Sequence, residues 1–201
     1  MSRPRPLPEG TLVAFYGDDF TGSSAAMEAL AFAGLDTVLF LAPPTPERLA
    51  AFSGYRGIGI AGVARSRDPD WMSRHLPPIF RLLKGLGAPV VHYKVCSTFD
   101  SAPHVGSIGR AIDLAADIFD GWIPLVVGDP GMGRFQSFGH LFALAQGKGY
   151  RLDRGMQSKV LAIGAKGVDA SVIPDICSVP PMLTQLKIVD VRCFPNFPDK
   201  Y

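Results

Sequence analysis

Short runs of apolar residues alternate with longer segments of helical pattern along most of the chain. Five of these runs predict strands, at 12–16, 37–41, 57–62, 89–95 and 123–127. Their residues are apolar in succession rather than in alternation, which indicates strands that are covered on both faces. The sheet that they form should therefore lie inside the molecule, between layers of helix.

The segments between the runs predict helices. They lie at 23–33, 46–52, 69–86 and 106–119, and from the end of the glycine-rich loop 128–133 to residue 145. Strands that alternate with helices of this length pair in parallel through crossover connections. Pro77 and Pro78 fall inside the third helical segment and should break or kink it. The predicted fold class is α/β, with an open, mainly parallel sheet and helices on both faces.

The pattern changes after Arg154. Prolines prevent long elements there, at positions 174, 180, 181, 195 and 198, and no further alternation of strands and helices is visible. We therefore expect one domain over residues 10–154. An irregular, divergent tail over residues 155–201 should follow it.

Composition and charge argue against several classes of partner. The formal net charge is +2 and no cluster of Lys or Arg occurs, which is not typical of a nucleic-acid-binding protein. No apolar stretch approaches the length that spans a membrane, and the N-terminus lacks the apolar core of a signal peptide. Three widely spaced cysteines, Cys96, Cys177 and Cys193, predict neither a disulfide framework nor a zinc site. We expect a cytoplasmic protein, since that compartment keeps thiols reduced.

The first candidate chemistry follows the first strand, where Asp18 and Asp19 stand side by side. Ligands of open parallel sheets bind beyond the carboxyl ends of the strands. Two carboxylates at that edge could bind sugar hydroxyls, accept a proton from one, or hold a metal. Alternatively, Asp19 or Thr21 only caps the helix that follows. The sequence leaves both interpretations open.

A second polar loop follows the fourth predicted strand. Lys94 lies near the end of that strand, where an unpaired ammonium group would be costly, so it needs Asp18, Asp19 or an anionic ligand as a partner. Gly106 opens a helix whose free backbone N–H groups would attract an anion, unless the glycine only permits close packing. Cys96 has no His or Asp at a recognisable spacing, which favours a structural thiol over a nucleophile.

The third loop, 128–136, carries Arg134, whose guanidinium can bind a carboxylate at two points. Arg67 adds a further cation after the third strand. The chain has neither the GK[ST] of a phosphate loop nor a GxGxxG fingerprint, and its paired aspartates are adjacent rather than two apart, as a DxDxT phosphatase requires. Acidic groups from one loop and cations from three others predict a polyhydroxylated anion as the ligand.

Taken in chain order, these loops resemble the N-terminal domain of the four-carbon acid sugar kinase family. The matching motifs are 17–22 (Gly-Asp-Asp-Phe-Thr-Gly), Ser66-Arg67, 94–98 (Lys-Val-Cys-Ser-Thr), 106–109 (Gly-Ser-Ile-Gly), and Gly133-Arg134 with Gly139-His140. The likeness covers residues 10–154. It looks closer to the branch that acts on 3-oxo-isoapionate than to the threonate or erythronate kinases.

The resemblance implies a kinase of two domains, in which the first binds the acid sugar and the second binds ATP and Mg²⁺. It implies that Asp18 and Asp19 bind sugar hydroxyls, with Asp19 as the catalytic base. The other implied substrate-binding residues surround the sugar carboxylate: Arg67, Lys94, Ser97, Thr98, Gly106 and Arg134.

Members of that family are much longer than this chain, and nothing after Gly155 resembles their continuation. We therefore expect a truncated or frame-shifted chain that lacks the nucleotide-binding half, binds no ATP or Mg²⁺ by itself and is incomplete as a kinase. The alternative is a stand-alone acid-sugar-binding module, or one that works with a separate ATP-binding domain. Formation of a homo-oligomer is left open.

Overall fold

The computed structural model describes residues 7–97, 99–126, 128–137 and 140–151. Within these ranges the chain forms seven strands, four α-helices and two short 3₁₀ helices. In chain order they are β1 (Val13–Gly17), α1 (Phe20–Phe32), β2 (Thr37–Phe40), α2 (Pro46–Ala50), β3 (Gly57–Ala61), a 3₁₀ helix (Ala64–Ser66), α3 (Pro69–Gly85), β4 (Val90–Lys94), α4 (Ile108–Ala116), a 3₁₀ helix (Pro130–Met132), β5 (Arg134–Ser137), β6 (His140–Ala145) and β7 (Lys148–Arg151).

The first four strands form a parallel sheet in the order β2-β3-β1-β4, which confirms the predicted fold class. Gly17, the last residue of β1, is paired with Ala61 of β3 and with Lys94 of β4. The carboxyl ends of these three strands therefore lie level at one edge of the sheet.

Helices cover both faces of this sheet, as the continuous apolar runs predict. Ala14 and Tyr16 of β1 belong to the same buried cluster as the apolar side of α3 and residues of α4. Gly17 faces the opposite side, because a Cβ built on it would overlap Ser23 of α1. This is the alternation of faces that a strand imposes.

Helix α3 runs unbroken through Pro77 and Pro78, so the expected break is wrong. Each proline costs a helix interior about 3 kcal/mol. Burial of an apolar side chain contributes about 1.5–3 kcal/mol. Five such side chains of α3 are buried, which offsets the cost: Met72, Leu76, Ile79, Phe80 and Leu83.

The region after residue 120 differs from the sequence-based expectation. Residues 123–126 of the expected fifth strand form no strand, and Val127 lies outside the described residues. The expected helix up to residue 145 is instead the antiparallel sheet β5-β6-β7. Gln146 and Gly147 both have positive φ and form a two-residue turn between β6 and β7, which is a type I′ hairpin.

This second sheet is joined to the rest of the domain by apolar packing. Leu141 of β6 and Leu125 pack against a buried cluster of Phe99, Ile108 and Ile112. The side-chain amide of Gln136 also donates to the carbonyl of Leu125 at 3.4 Å. Among the described helices, none is long and apolar enough to cross a membrane.

Candidate functional site

Three loops are tied together by backbone hydrogen bonds at the carboxyl edge of the parallel sheet. The N–H of Asp18 donates to the carbonyl of Lys94 at 3.0 Å, and the N–H of Arg65 donates to the carbonyl of Asp18 at 3.1 Å. The residues that follow β1, β3 and β4 therefore have fixed positions relative to one another. Their side chains form the candidate site.

The guanidinium of Arg65 binds both aspartates. Its Nη2 and Nε donate to Oδ1 and Oδ2 of Asp18 at 2.7 and 3.3 Å, and its Nη1 donates to Oδ2 of Asp19 at 2.8 Å. The Asp18 side chain is only 3% exposed, whereas those of Arg65 and Asp19 are 25% and 29% exposed. One cation thus neutralises part of a carboxylate pair at the end of a buried strand.

Burial raises the pKa of Asp18 above its ordinary value, although the hydrogen bonds and charge of Arg65 act in the opposite direction. Burial also lowers the pKa of Arg65, but the hydrogen bonds and charge of Asp18 outweigh that effect and raise it. Desolvation of two charges commonly consumes much of what their attraction supplies. Asp18 and Arg65 therefore depend closely on each other.

Asp19 has two roles in this structure. Its Oδ1 accepts from the N–H of Gly22 at 2.7 Å and caps α1, while its Oδ2 accepts from Arg65. Asp19 therefore caps the helix and also belongs to the charged group at the sheet edge, so the two interpretations of the sequence do not exclude each other. Because Asp19 stays partly exposed, its remaining lone pairs can reach a ligand.

Lys94 faces the same space as Asp19. A Cβ built on Gly22 would stand 2.6 Å from Oδ1 of Asp19 and 3.5 Å from Nζ of Lys94. The ammonium group donates to the carbonyl of Val95, and none of the ion pairs in the described part of the chain includes it. Arg65, and not Lys94, is thus the ion-pair partner of the aspartates, which leaves an anionic ligand as the predicted partner of Lys94.

Arg67 and Gly106 lie behind the Arg65 turn. The guanidinium of Arg67 is exposed and lies over the Trp71 ring, 5.5 Å from the ring centre. The backbone carbonyl of Arg67 accepts from the N–H of Gly106 at 2.8 Å. Gly106 has a φ of +60°, and a Cβ built on it would overlap the carbonyl oxygen of Arg65. This contact supports the close-packing interpretation of Gly106, since its N–H is already used.

The start of α4 is likewise satisfied from within the chain. The N–H of Ile108 donates to Oγ of Ser101 at 2.9 Å, and the N–H of Arg110 donates to Oγ of Ser107 at 3.1 Å. These two donors are therefore engaged, contrary to the expectation of a free anion-binding helix terminus.

The remaining predicted residues are spread more widely. Ser97 lies half-buried in the turn after β4, and Thr98 lies outside the described residues. Arg134 begins β5 in the second sheet, where its Nη1 donates to the carbonyl of Met132 at 3.3 Å. The described contacts of Arg134 do not connect it to Asp18 or Asp19, and its place in the substrate site stays a prediction.

Arg65 is the residue that sequence analysis missed. Two arginines follow β3, and the sequence pattern predicts a site role for Arg67 rather than for Arg65. A signal was present, because a carboxylate buried at the end of one strand requires a cation from a neighbouring loop. Which arginine turns back toward the edge depends on the 3₁₀ turn Ala64–Ser66, which the sequence pattern does not indicate.

Comparison with known proteins adds a family to this geometry. A family model described as a sugar-binding N-terminal domain matches residues 13–173. The chain belongs to this family. The acid sugar resemblance of its loops is thereby confirmed at the level of the family, and members of the family carry the sugar-binding part at the N-terminal end.

Two curated relatives of this chain are kinases. The 3-oxo-isoapionate kinase of Paraburkholderia graminis is 56% identical over 148 residues, which are 73% of this chain and 32% of that protein. The 3-oxo-tetronate kinase of Methylobacterium radiotolerans is 34% identical over 134 residues, 62% of this chain and 29% of that protein. The chain thus spans about a third of the length of these relatives.

A solved structure supports the fold. The crystal structure of Haemophilus influenzae protein HI1011 has a TM-score of 0.61 to this chain, with 26% sequence identity. The match covers 81% of this chain and 38% of that protein. The mainly parallel sheet with helices on both faces is therefore shared with a protein of known structure.

Proposed function

We propose that this chain binds a small 3-oxo sugar acid and supplies the substrate-binding part of an ATP-dependent kinase. The observation that supports this most directly is the placement of Lys94. Its ammonium group shares one partly buried space with the carboxylate of Asp19, and no ion pair of the described residues engages it. The names of the two relatives, with 56% and 34% identity, supply the substrate class.

The charges in this space suit a ligand that carries both a carboxylate and hydroxyl groups. An ammonium group is a strong donor to a carboxylate, and a charge-assisted hydrogen bond of this kind is about twice as strong as a neutral one. A carboxylate such as that of Asp19 accepts from a hydroxyl group and can take its proton as a general base. We assign the ligand carboxylate to Lys94 and a ligand hydroxyl to Asp19.

Arg67, Ser97, Thr98 and Arg134 remain proposed contacts of the ligand, and Gly106 remains a proposed support of the site. Arg67 is the best placed of them, because its guanidinium is exposed next to the Arg65 turn. Gly106 acts through packing, since its N–H donates to Arg67.

We assign ATP and Mg²⁺ to a separate nucleotide-binding domain. Both carboxylates of the site are already paired with Arg65. In the described ranges, no three His, Cys, Asp or Glu side chains are grouped in a way that could hold a metal. The domain proposed for sugar binding is residues 10–154, with 155–201 as a divergent tail outside the described residues.

A thermal-shift panel tests the proposal on the purified chain. The ligands are 3-oxo-isoapionate, 3-oxo-tetronate, threonate, and erythritol as a four-carbon compound without a carboxylate. A ligand at about 100 times its Kd stabilises the folded state by about 2.7 kcal/mol, so the melting temperature should rise for a 3-oxo acid. Erythritol should have no effect.

The variant Lys94→Met should abolish the shift, and Lys148→Met serves as the matched control because Lys148 is exposed on β7. A shift that survives in Lys94→Met would remove Lys94 from the site.

A coupled ATPase assay with the same acids distinguishes a part of a kinase from a complete enzyme. The cytoplasmic location expected from the cysteines stays a prediction, and the oligomeric state stays open.

A further inference from the structure

The two adjacent aspartates of the site differ in what a ligand can reach. Asp18 has 3% of its side chain exposed, and each of its carboxylate oxygens accepts from Arg65. Asp19 has 29% of its side chain exposed, and its two oxygens accept from two different donors, Gly22 and Arg65. Only Asp19 therefore combines a fixed orientation with access from outside.

Arg65 itself is held in place from several directions. Its backbone N–H donates to the carbonyl of Asp18, and its own carbonyl oxygen lies against Gly106, where no Cβ would fit. On the other side of the turn, a Cβ on Gly62 would overlap the phenol ring of the buried Tyr16. The backbone turn that carries Arg65 is thus packed on both sides, and the guanidinium itself is held by its three hydrogen bonds to the aspartates.

We infer that Arg65 is a positioning residue that separates the roles of the two aspartates. Asp18 anchors the guanidinium, and the guanidinium, together with the N–H of Gly22, holds the carboxylate of Asp19 toward the ligand. The inference rests on the proposed function, because it names the residue that prepares the same site. The ligand carboxylate is left to Lys94, because no ion pair of the described residues includes that ammonium group, whereas three of the five N–H groups of Arg65 already donate to aspartates.

The test compares three variants of the full chain, Arg65→Lys, Asp18→Asn and Asp19→Asn, by calorimetric binding of 3-oxo-tetronate and by the melting temperature without ligand. A lysine keeps the charge, but one ammonium cannot reproduce the forked geometry that reaches both carboxylates. Arg65→Lys and Asp19→Asn should each weaken binding by about tenfold or more, the loss expected for a hydrogen bond to a charged group. Asp18→Asn should mainly lower the melting temperature and weaken binding less than Asp19→Asn does.

Hydrogen exchange at the Gly22 amide gives a readout that needs no ligand. If Arg65 holds Asp19 on this amide, exchange should become about tenfold faster in Arg65→Lys and in Asp19→Asn, in keeping with the loss of a charge-assisted bond. Arg48→Lys is the matched control, because Arg48 is exposed on α2 and lies over the Phe52 ring. It should leave both binding and exchange unchanged.

Two results would overturn the inference while the proposed function stands. One is that Arg65→Lys binds the ligand as tightly as the wild type does and exchanges the Gly22 amide at the same rate. The other is a loss of affinity in Asp18→Asn as large as in Asp19→Asn, which would make Asp18 a ligand contact. If the wild-type chain binds no acid of the panel, the proposed function fails, and Gly22 exchange still decides whether Arg65 positions Asp19.

Discussion

Among single residues, Arg65 has the largest consequence for the site because it is the only cation paired with Asp18 or Asp19 in the described part of the chain. Breaking a buried ion pair by removing one partner costs about 3–5 kcal/mol. The substitution Arg65→Lys, which keeps the charge, is therefore more informative than one that removes it. Because Arg65 already pairs with both aspartates, the neighbouring Lys94 can stay available for a ligand.

Gly106 offers a separate test of how firmly the Arg65 turn is packed. In Gly106→Ala, the positive φ alone costs about 1–2 kcal/mol, and the new Cβ would also overlap the carbonyl oxygen of Arg65. Gly87→Ala is the matched control, because Gly87 has a φ of +67° and open space around it. Chemical denaturation should show a clearly larger loss of unfolding free energy for Gly106→Ala, and equal losses would contradict the packing.

The residues of the site were only partly predictable from the sequence. Asp18 and Lys94 could be identified because they lie at the ends of apolar runs that predict buried strands, where a charge is expensive. Strand β1 is buried as expected, whereas β4 is partly exposed. Arg65 could not be separated from Arg67, because the difference depends on the path of a three-residue turn. The role of Gly106 was left between an anion site and close packing, and its hydrogen bond to Arg67 supports packing.

At the scale of elements, the parallel sheet could be predicted and the antiparallel one could not. Strands β1 to β4 are continuous apolar runs between clear helix signals, which favours one interpretation. The run at 140–145 is short and apolar, and a pattern of that length fits a strand or a buried helix equally well. The Gln146-Gly147 pair is only a weak sequence signal for a hairpin, because type I′ turns prefer Asn-Gly or Asp-Gly, and the positive φ of both residues is seen only in the structure.

In the turn between β6 and β7, substitutions at two neighbouring positions should change the stability of the domain in opposite directions. Asn is favoured over Gln at a type I′ position, so Gln146→Asn should stabilise the domain by a few tenths of a kcal/mol up to about 1 kcal/mol. Gly147→Ala should destabilise it, because Gly147 has a φ of +74°. Melting temperatures check both, and a gain from Gly147→Ala would contradict the turn type.

At the scale of the whole molecule, the chain is nearly neutral, with a formal charge of +2, so a general electrostatic field does not account for binding an anion. Recognition must come from the local arrangement, in which two carboxylates, one guanidinium and one ammonium lie together at the sheet edge. These four formal charges balance one another. We propose that the ligand carboxylate binds Lys94, because no ion pair of the described residues includes that ammonium group.

The most direct test of this assignment is a calorimetric double cycle with two ligands and two proteins. The ligands are 3-oxo-tetronate and its uncharged primary amide, and the proteins are the wild-type chain and Lys94→Met. The wild type should bind the acid about tenfold or more tightly than the amide, as expected for a charge-assisted hydrogen bond, and Lys94→Met should bind the two alike. An equal preference for the acid in both proteins would contradict the account.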